Sequence, residues 1–80
     1  MTILDQILED HPDGEFLKVD GHDDAVIGYA YGSDRLVYDQ QVMLAILMEE
    51  GMTEEEAIEH FEFNIGGAYV GINTPIFVIM

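Results

Sequence analysis

Ala25-Val26-Ile27-Gly28-Tyr29-Ala30-Tyr31-Gly32-Ser33-Asp34-Arg35-Leu36-Val37-Tyr38-Asp39 is the stretch on which the fold turns. Val26, Ile27, Tyr29 and Tyr31 favour the pleated state, so Ala25 to Tyr31 reads as a strand. Gly28 inside it marks a bulge or a close backbone approach. Gly32-Ser33-Asp34 is a turn, and Arg35 to Tyr38 returns as the second arm of a hairpin. Asp39 then caps a helix running to about Glu50, with Val42, Met43, Ile46 and Leu47 on one face and Gly51 as its stop. A hairpin that feeds directly into a helix predicts a mixed architecture.

Downstream, Thr53-Glu54-Glu55-Glu56 is the clearest local signal: a Thr cap, a Glu three positions on, and three acids in one turn. The spacing predicts a helix over Thr53 to Asn64 with Ala57, Ile58, Phe61 and Ile65 turned inward. Gly66-Gly67 loosens the chain, and Asn73-Thr74-Pro75 is a turn. Ile76 to Met80 reads as a closing strand buried on both faces or nearly so. Upstream, Thr2 caps a short helix with Asp5 three residues on. Ile3, Leu4, Ile7 and Leu8 form its apolar stripe, and His11-Pro12 followed by Asp13-Gly14 ends it. Glu15 to Asp20 reads as a short strand, and Gly21-His22-Asp23-Asp24 as a charged turn. The sum is one α+β domain over residues 1–80: a small antiparallel sheet of three to four strands, with three helices packed mainly on one face.

Composition then narrows the function. Seventeen acidic residues stand against two basic ones, Lys18 and Arg35, for a formal net charge of -15. Self-repulsion on this scale opposes compaction. Yet 49% of the residues are hydrophobic, which is too high for an acidic disordered tail, so the acids coat a real core. The chain has no cysteine, which excludes disulfides and thiolate zinc sites. No apolar run approaches the ~18 residues of a membrane span, and the first residues lack a signal-peptide pattern. A soluble protein of the host cell cytoplasm, probing neither anionic membrane nor nucleic acid directly, is expected.

Catalytic and metal chemistry find little support. Carboxylate pairs such as Asp23-Asp24 are too common here to identify a general acid and base. The segment Asp20-Gly21-His22-Asp23-Asp24 lacks the ligand spacing and the glycine of a calcium loop. His11, His22 and His60 are scattered, and none belongs to a metal-binding helical pair. Gly66, Gly67 and Gly71 come without the lysine and hydroxyl of a phosphate loop. No enzymatic activity, cofactor or metal is expected.

Charge layout is more informative. Glu55, Glu59 and Glu62 follow one another at spacings of four and three and so share one helix face, with Glu54 and Glu56 beside them. At about 1.5 Å per residue, these glutamates give one charge per roughly 3 Å of axis. A single strand of duplex DNA carries a phosphate about every 3.4 Å. The bland alternative is a solvated face whose first-turn acids serve the helix dipole. That alternative leaves unexplained the acids in turns and element ends, Asp20, Asp23 and Asp24 among them, with almost no lysine interspersed. The partner-binding candidates are therefore Glu54, Glu55, Glu56, Glu59 and Glu62, with Asp20, Asp23 and Asp24.

Several runs also carry a resemblance: Asp23-Asp24-Ala25-Val26-Ile27-Gly28-Tyr29, Arg35-Leu36-Val37-Tyr38-Asp39 and Gly51-Met52-Thr53-Glu54-Glu55-Glu56-Ala57. To these add Phe63-Asn64-Ile65, Ala68-Tyr69-Val70-Gly71 and Thr74-Pro75-Ile76-Phe77. Over roughly residues 23–78 the chain resembles a family of small acidic phage and prophage proteins. In size and charge it is similar to phage anti-CRISPR proteins that act on type I surveillance complexes. The resemblance implies a non-catalytic inhibitor, a DNA mimic docking where target DNA enters, near the subunit that reads the protospacer-adjacent motif. Its partner would be a basic DNA-binding host protein, a type I CRISPR effector subunit, met by a monomer. The competing expectation is a small adaptor that binds through an apolar patch at Tyr69, Val70, Ile72 and the Ile76 to Met80 strand.

Overall fold

The computed structural model describes residues 2–66 and 71–79. In chain order the elements are α1 (Ile3–Asp10), a 3₁₀ turn (Asp23–Ala25), β1 (Val26–Tyr29), β2 (Leu36–Asp39), α2 (Gln40–Glu49), α3 (Glu54–Phe61), a π-helical turn (Glu62–Gly66) and β3 (Ile76–Val78). The fold is α+β, with a small sheet and three helices.

Each helix begins where a side chain meets its orphan backbone donors. The Thr2 and Thr53 hydroxyls accept from the Asp5 and Glu56 amides, while the Asp5 and Glu56 carboxylates accept from the Thr2 and Thr53 amides. Asp39 accepts from the Gln41 and Val42 amides at the start of α2. Gly51 ends α2 at φ 108°, a backbone state that suits glycine. Caps of this kind contribute about 1 kcal/mol each.

β1 and β2 pair antiparallel, with a register shift between Val26 and Gly28 that leaves Ile27 without a partner, next to the glycine expected to mark a bulge. The sheet is not wholly antiparallel, however. β3 runs parallel to β2, with Val37 opposite Ile76, Tyr38 opposite Phe77 and Asp39 opposite Val78, giving the order β1-β2-β3. The chain leaves β2 through α2 and α3 before returning, and a crossover of that length is what parallel pairing requires. The expected strand over Glu15 to Asp20 does not form. Two of its backbone donors are met by side chains instead: the Glu15 amide donates to Asp34 at 3.1 Å and the Val19 amide to the Tyr38 hydroxyl at 2.8 Å. β3 is also less covered than expected, since all three residues are half-buried and Ile79 is 74% exposed. An edge position beside β2 alone accounts for this. Met80 lies outside the described residues, as does Gly67.

One core joins the layers. Leu4 and Ile7 of α1, Val26, Leu36, Tyr38, Met43, Leu47, Ala57 and Phe61 are buried in a single cluster. Leu36 and Tyr38 alternate with half-buried Val37 and Asp39, as a strand covered on one face requires. Tyr38 is 0% exposed. Burial raises its phenol pKa above the ordinary value, with the Val19 amide opposing and the Asp23 and Asp20 charges adding to the rise. Phe77 stacks edge-on against Phe61 at 5.2 Å and locks β3 to α3. Ile58, by contrast, is exposed where the spacing placed it inward.

Candidate partner-binding surface

Burial on α3 decides which glutamates face out. Ala57 and Phe61 are buried, and at about 100° per residue the opposite side belongs to Glu55, Glu59 and Glu62. Glu54 and Glu56 flank this row, and all five are exposed. Glu56 is nevertheless engaged, because its carboxylate closes the capping box on the Thr53 amide at 2.9 Å. The outward row survives the turn into the π-helical segment with Glu62 exposed.

Asp20, Asp23 and Asp24 are exposed as well, on the loop that carries the 3₁₀ turn. Asp23 has a basic neighbour, Lys18, with Nζ 3.8 Å from its carboxylate, an exposed pair worth little in stability. The fold adds a residue that sequence reasoning missed. Asp5, at the start of α1, lines one concavity with Asp23, Asp24, Thr2 and Gly21. A second concavity holds Asp10, Asp13 and Asp34 around His11. Six aspartates thus line two hollows, and five glutamates lie along one helix. Asp5 is distant in sequence from Asp23 and Asp24, and Asp34 from Asp10 and Asp13, so no local pattern announces either grouping.

His22 links the aspartate loop to the helices. It is 4% exposed, and its Nδ1 is buried with no hydrogen-bond partner among the described residues. Desolvation holds its pKa below the ordinary histidine value; the Glu50 charge works against that and His60 reinforces it. His22 immediately precedes the 3₁₀ turn, which packs against α1 and α2, and it stands on the loop of Asp20, Asp23 and Asp24.

Six of the seventeen acids serve the fold or a neighbour: Asp5, Asp39 and Glu56 as caps, Asp34 on the Glu15 amide, Asp10 on Gln6 and Asp23 with Lys18. The side-chain carboxylates of the other eleven make no hydrogen bond or ion pair with another described residue. Both cations are occupied, since the Arg35 guanidinium donates to the Thr74 carbonyl at 2.7 Å. Among the described residues, no three metal-ligating side chains are disposed to hold an ion, and no helix is long and apolar enough to cross a membrane.

Apolar side chains are also displayed. Ile72 is 84% and Phe63 77% exposed, both close in sequence to β3 or the π-helical turn. Tyr69 and Val70, named for an apolar patch, lie outside the described residues. Comparison with known proteins gives no relative: no family model, no curated protein and no solved structure matches the chain.

Proposed function

We propose that this chain is a non-catalytic DNA mimic that occupies the cationic groove of a host DNA-binding protein. In its specific form, the proposal is a phage anti-CRISPR inhibitor. Acting as a monomer in the host cytoplasm, it keeps target DNA from the motif-reading subunit of a type I surveillance complex. The observation that carries the reading is the set of eleven exposed carboxylates without a hydrogen-bond or ion-pair partner among the described residues, on a body whose two cations are both engaged. An ordinary surface intersperses both signs. Charges left unneutralised on a stiff scaffold can instead enter a lysine- and arginine-lined channel, drawn by long-range attraction.

Glu54, Glu55, Glu59 and Glu62, with Asp20 and Asp24, are the residues proposed to meet the partner. Glu56 and Asp23 contribute field more than contact, since each already has a neighbour. Binding of this kind falls steeply with salt, because the Debye length shrinks from about 30 Å at 0.01 M to about 8 Å at 0.15 M. A titration of partner binding over that range should show a loss of at least ten-fold. Affinity that holds constant across it would remove the electrostatic basis of the proposal. The second reading, an adaptor that binds through apolar contacts, is favoured by exposed Ile72 and Ile79 and predicts that flat response.

A further inference from the structure

The layer of side chains beneath the sheet is incomplete at one end. A cavity of about 190 Å³ opens there, lined by Leu17, Lys18, Val19, Asn64, Ile65, Pro75 and Phe77. Pro75 and Phe77 are two residues apart on an extended chain and so present the same face. That face is the inner one, because Phe77 packs on Tyr38 and Phe61. Among the described residues β3 pairs only with β2, so its other side has no strand partner among them and forms a sheet edge. A strand added there would send alternate side chains into the layer where the cavity lies.

We infer that the free side of β3 receives an extended, cationic segment of the partner, with one apolar side chain of that segment filling the cavity between Leu17, Val19, Ile65 and Phe77. Charge selects this occupant over a second copy of the chain. A copy would bring another net charge of -15 against the first, whereas lysine- or arginine-flanked peptide is attracted to it. The cavity volume suits one side chain and is small for a whole metabolite, whose pockets run to about 300 Å³ or more. Lys18 does not oppose a cationic segment strongly, since its ammonium is turned toward Asp23. The inference rests on the proposed cationic partner and adds to it a specific apolar anchor.

The test uses the full chain and four capped nine-residue peptides. The first alternates lysine and threonine around a central phenylalanine. The second has alanine at the centre, the third has glutamate for every lysine, and the fourth is the first with alternate backbone amides N-methylated. Amide shifts are followed by NMR during titration at low salt. The first peptide should move the signals of Leu17, Val19, Ile65 and Phe77 and bind about ten-fold more tightly than the alanine and N-methylated peptides, a difference of about 1.4 kcal/mol. Leu17→Ser at the half-open rim should erase the advantage of phenylalanine while the melting temperature holds. Equal affinity for the phenylalanine and alanine peptides, with shifts confined to Glu55, Glu59 and Glu62, would overturn the anchor yet leave the acidic reading standing. Tight binding of the glutamate peptide would overturn both. Concentration-dependent shifts at β3 without peptide would show a second copy as the occupant and overturn the inference.

Discussion

α2 and α3 are consecutive, packed together and separated by a short turn at Gly51, yet they are stabilised in different ways. α2 has no acid in its first turn, buries Met43 and Leu47, and half-buries Val42, Leu44 and Ile46 against the core. α3 buries only Ala57 and Phe61 and gives its outer side to glutamate. Its hold on the domain is a capping box, one small and one aromatic contact, and the Phe61–Phe77 stack. The contrast teaches where this domain can tolerate repulsion. Negative charge accumulates on the helix whose outer face does no packing.

The sharpest way to break the comparison is to truncate the buried side of α2. Leu47→Ala should cost about 2–5 kcal/mol, because it removes methylene contacts and leaves a cavity. Urea denaturation measures it, and a loss well under 1 kcal/mol would mean that α2 is not the packed element described. Next in size is Tyr38→Phe, which removes the hydroxyl that accepts from the Val19 amide. A loss of about 1–2 kcal/mol is expected, since a backbone donor is left without its partner. Hydrogen exchange should show the Val19 amide losing protection before its neighbours in β2.

A smaller effect comes with pH. His22 has its folded-state pKa lowered, chiefly by burial, so the unfolded chain binds a proton before the folded one does. Its contribution to stability is therefore complete above the ordinary histidine value of about 6.5. It is lost as pH falls from there toward the depressed folded value. Wild type should lose more stability than His22→Leu between pH 7.5 and 5.5; parallel losses would mean that the ring is solvated. Smallest of all is the effect of Glu55→Gln, Glu59→Gln and Glu62→Gln together. Relief of like charges at spacings of four and three should stabilise the domain by about 0.2–0.5 kcal/mol per pair. A marked destabilisation would place those glutamates in the fold after all.

Much of this was legible in local sequence. Thr53 with Glu56, Thr2 with Asp5, and Asp39 before its apolar run announced all three helix starts, because caps are decided within four residues. The hairpin was equally local. What escaped was non-local. The parallel direction of β3 depends on how two helices return the chain. The segment over Glu15 to Asp20 looks like a strand until Tyr38 and Asp34, each nineteen residues from its contact, take up its donors. On the surface, the α3 row follows from periodicity alone, whereas Asp5 joins Asp23 and Asp24 only through tertiary packing.

The central claim is that the outward glutamates of α3 bind and do not fold. The most direct measurement is duplex binding by a purified type I surveillance complex in the presence of increasing amounts of this protein. The apparent Kd for target duplex should rise in proportion to the protein added. Glu55→Lys, Glu59→Lys and Glu62→Lys together should abolish the effect without lowering the melting temperature by more than a few degrees. Duplex binding that ignores the protein, or inhibition that survives the triple reversal, would contradict it.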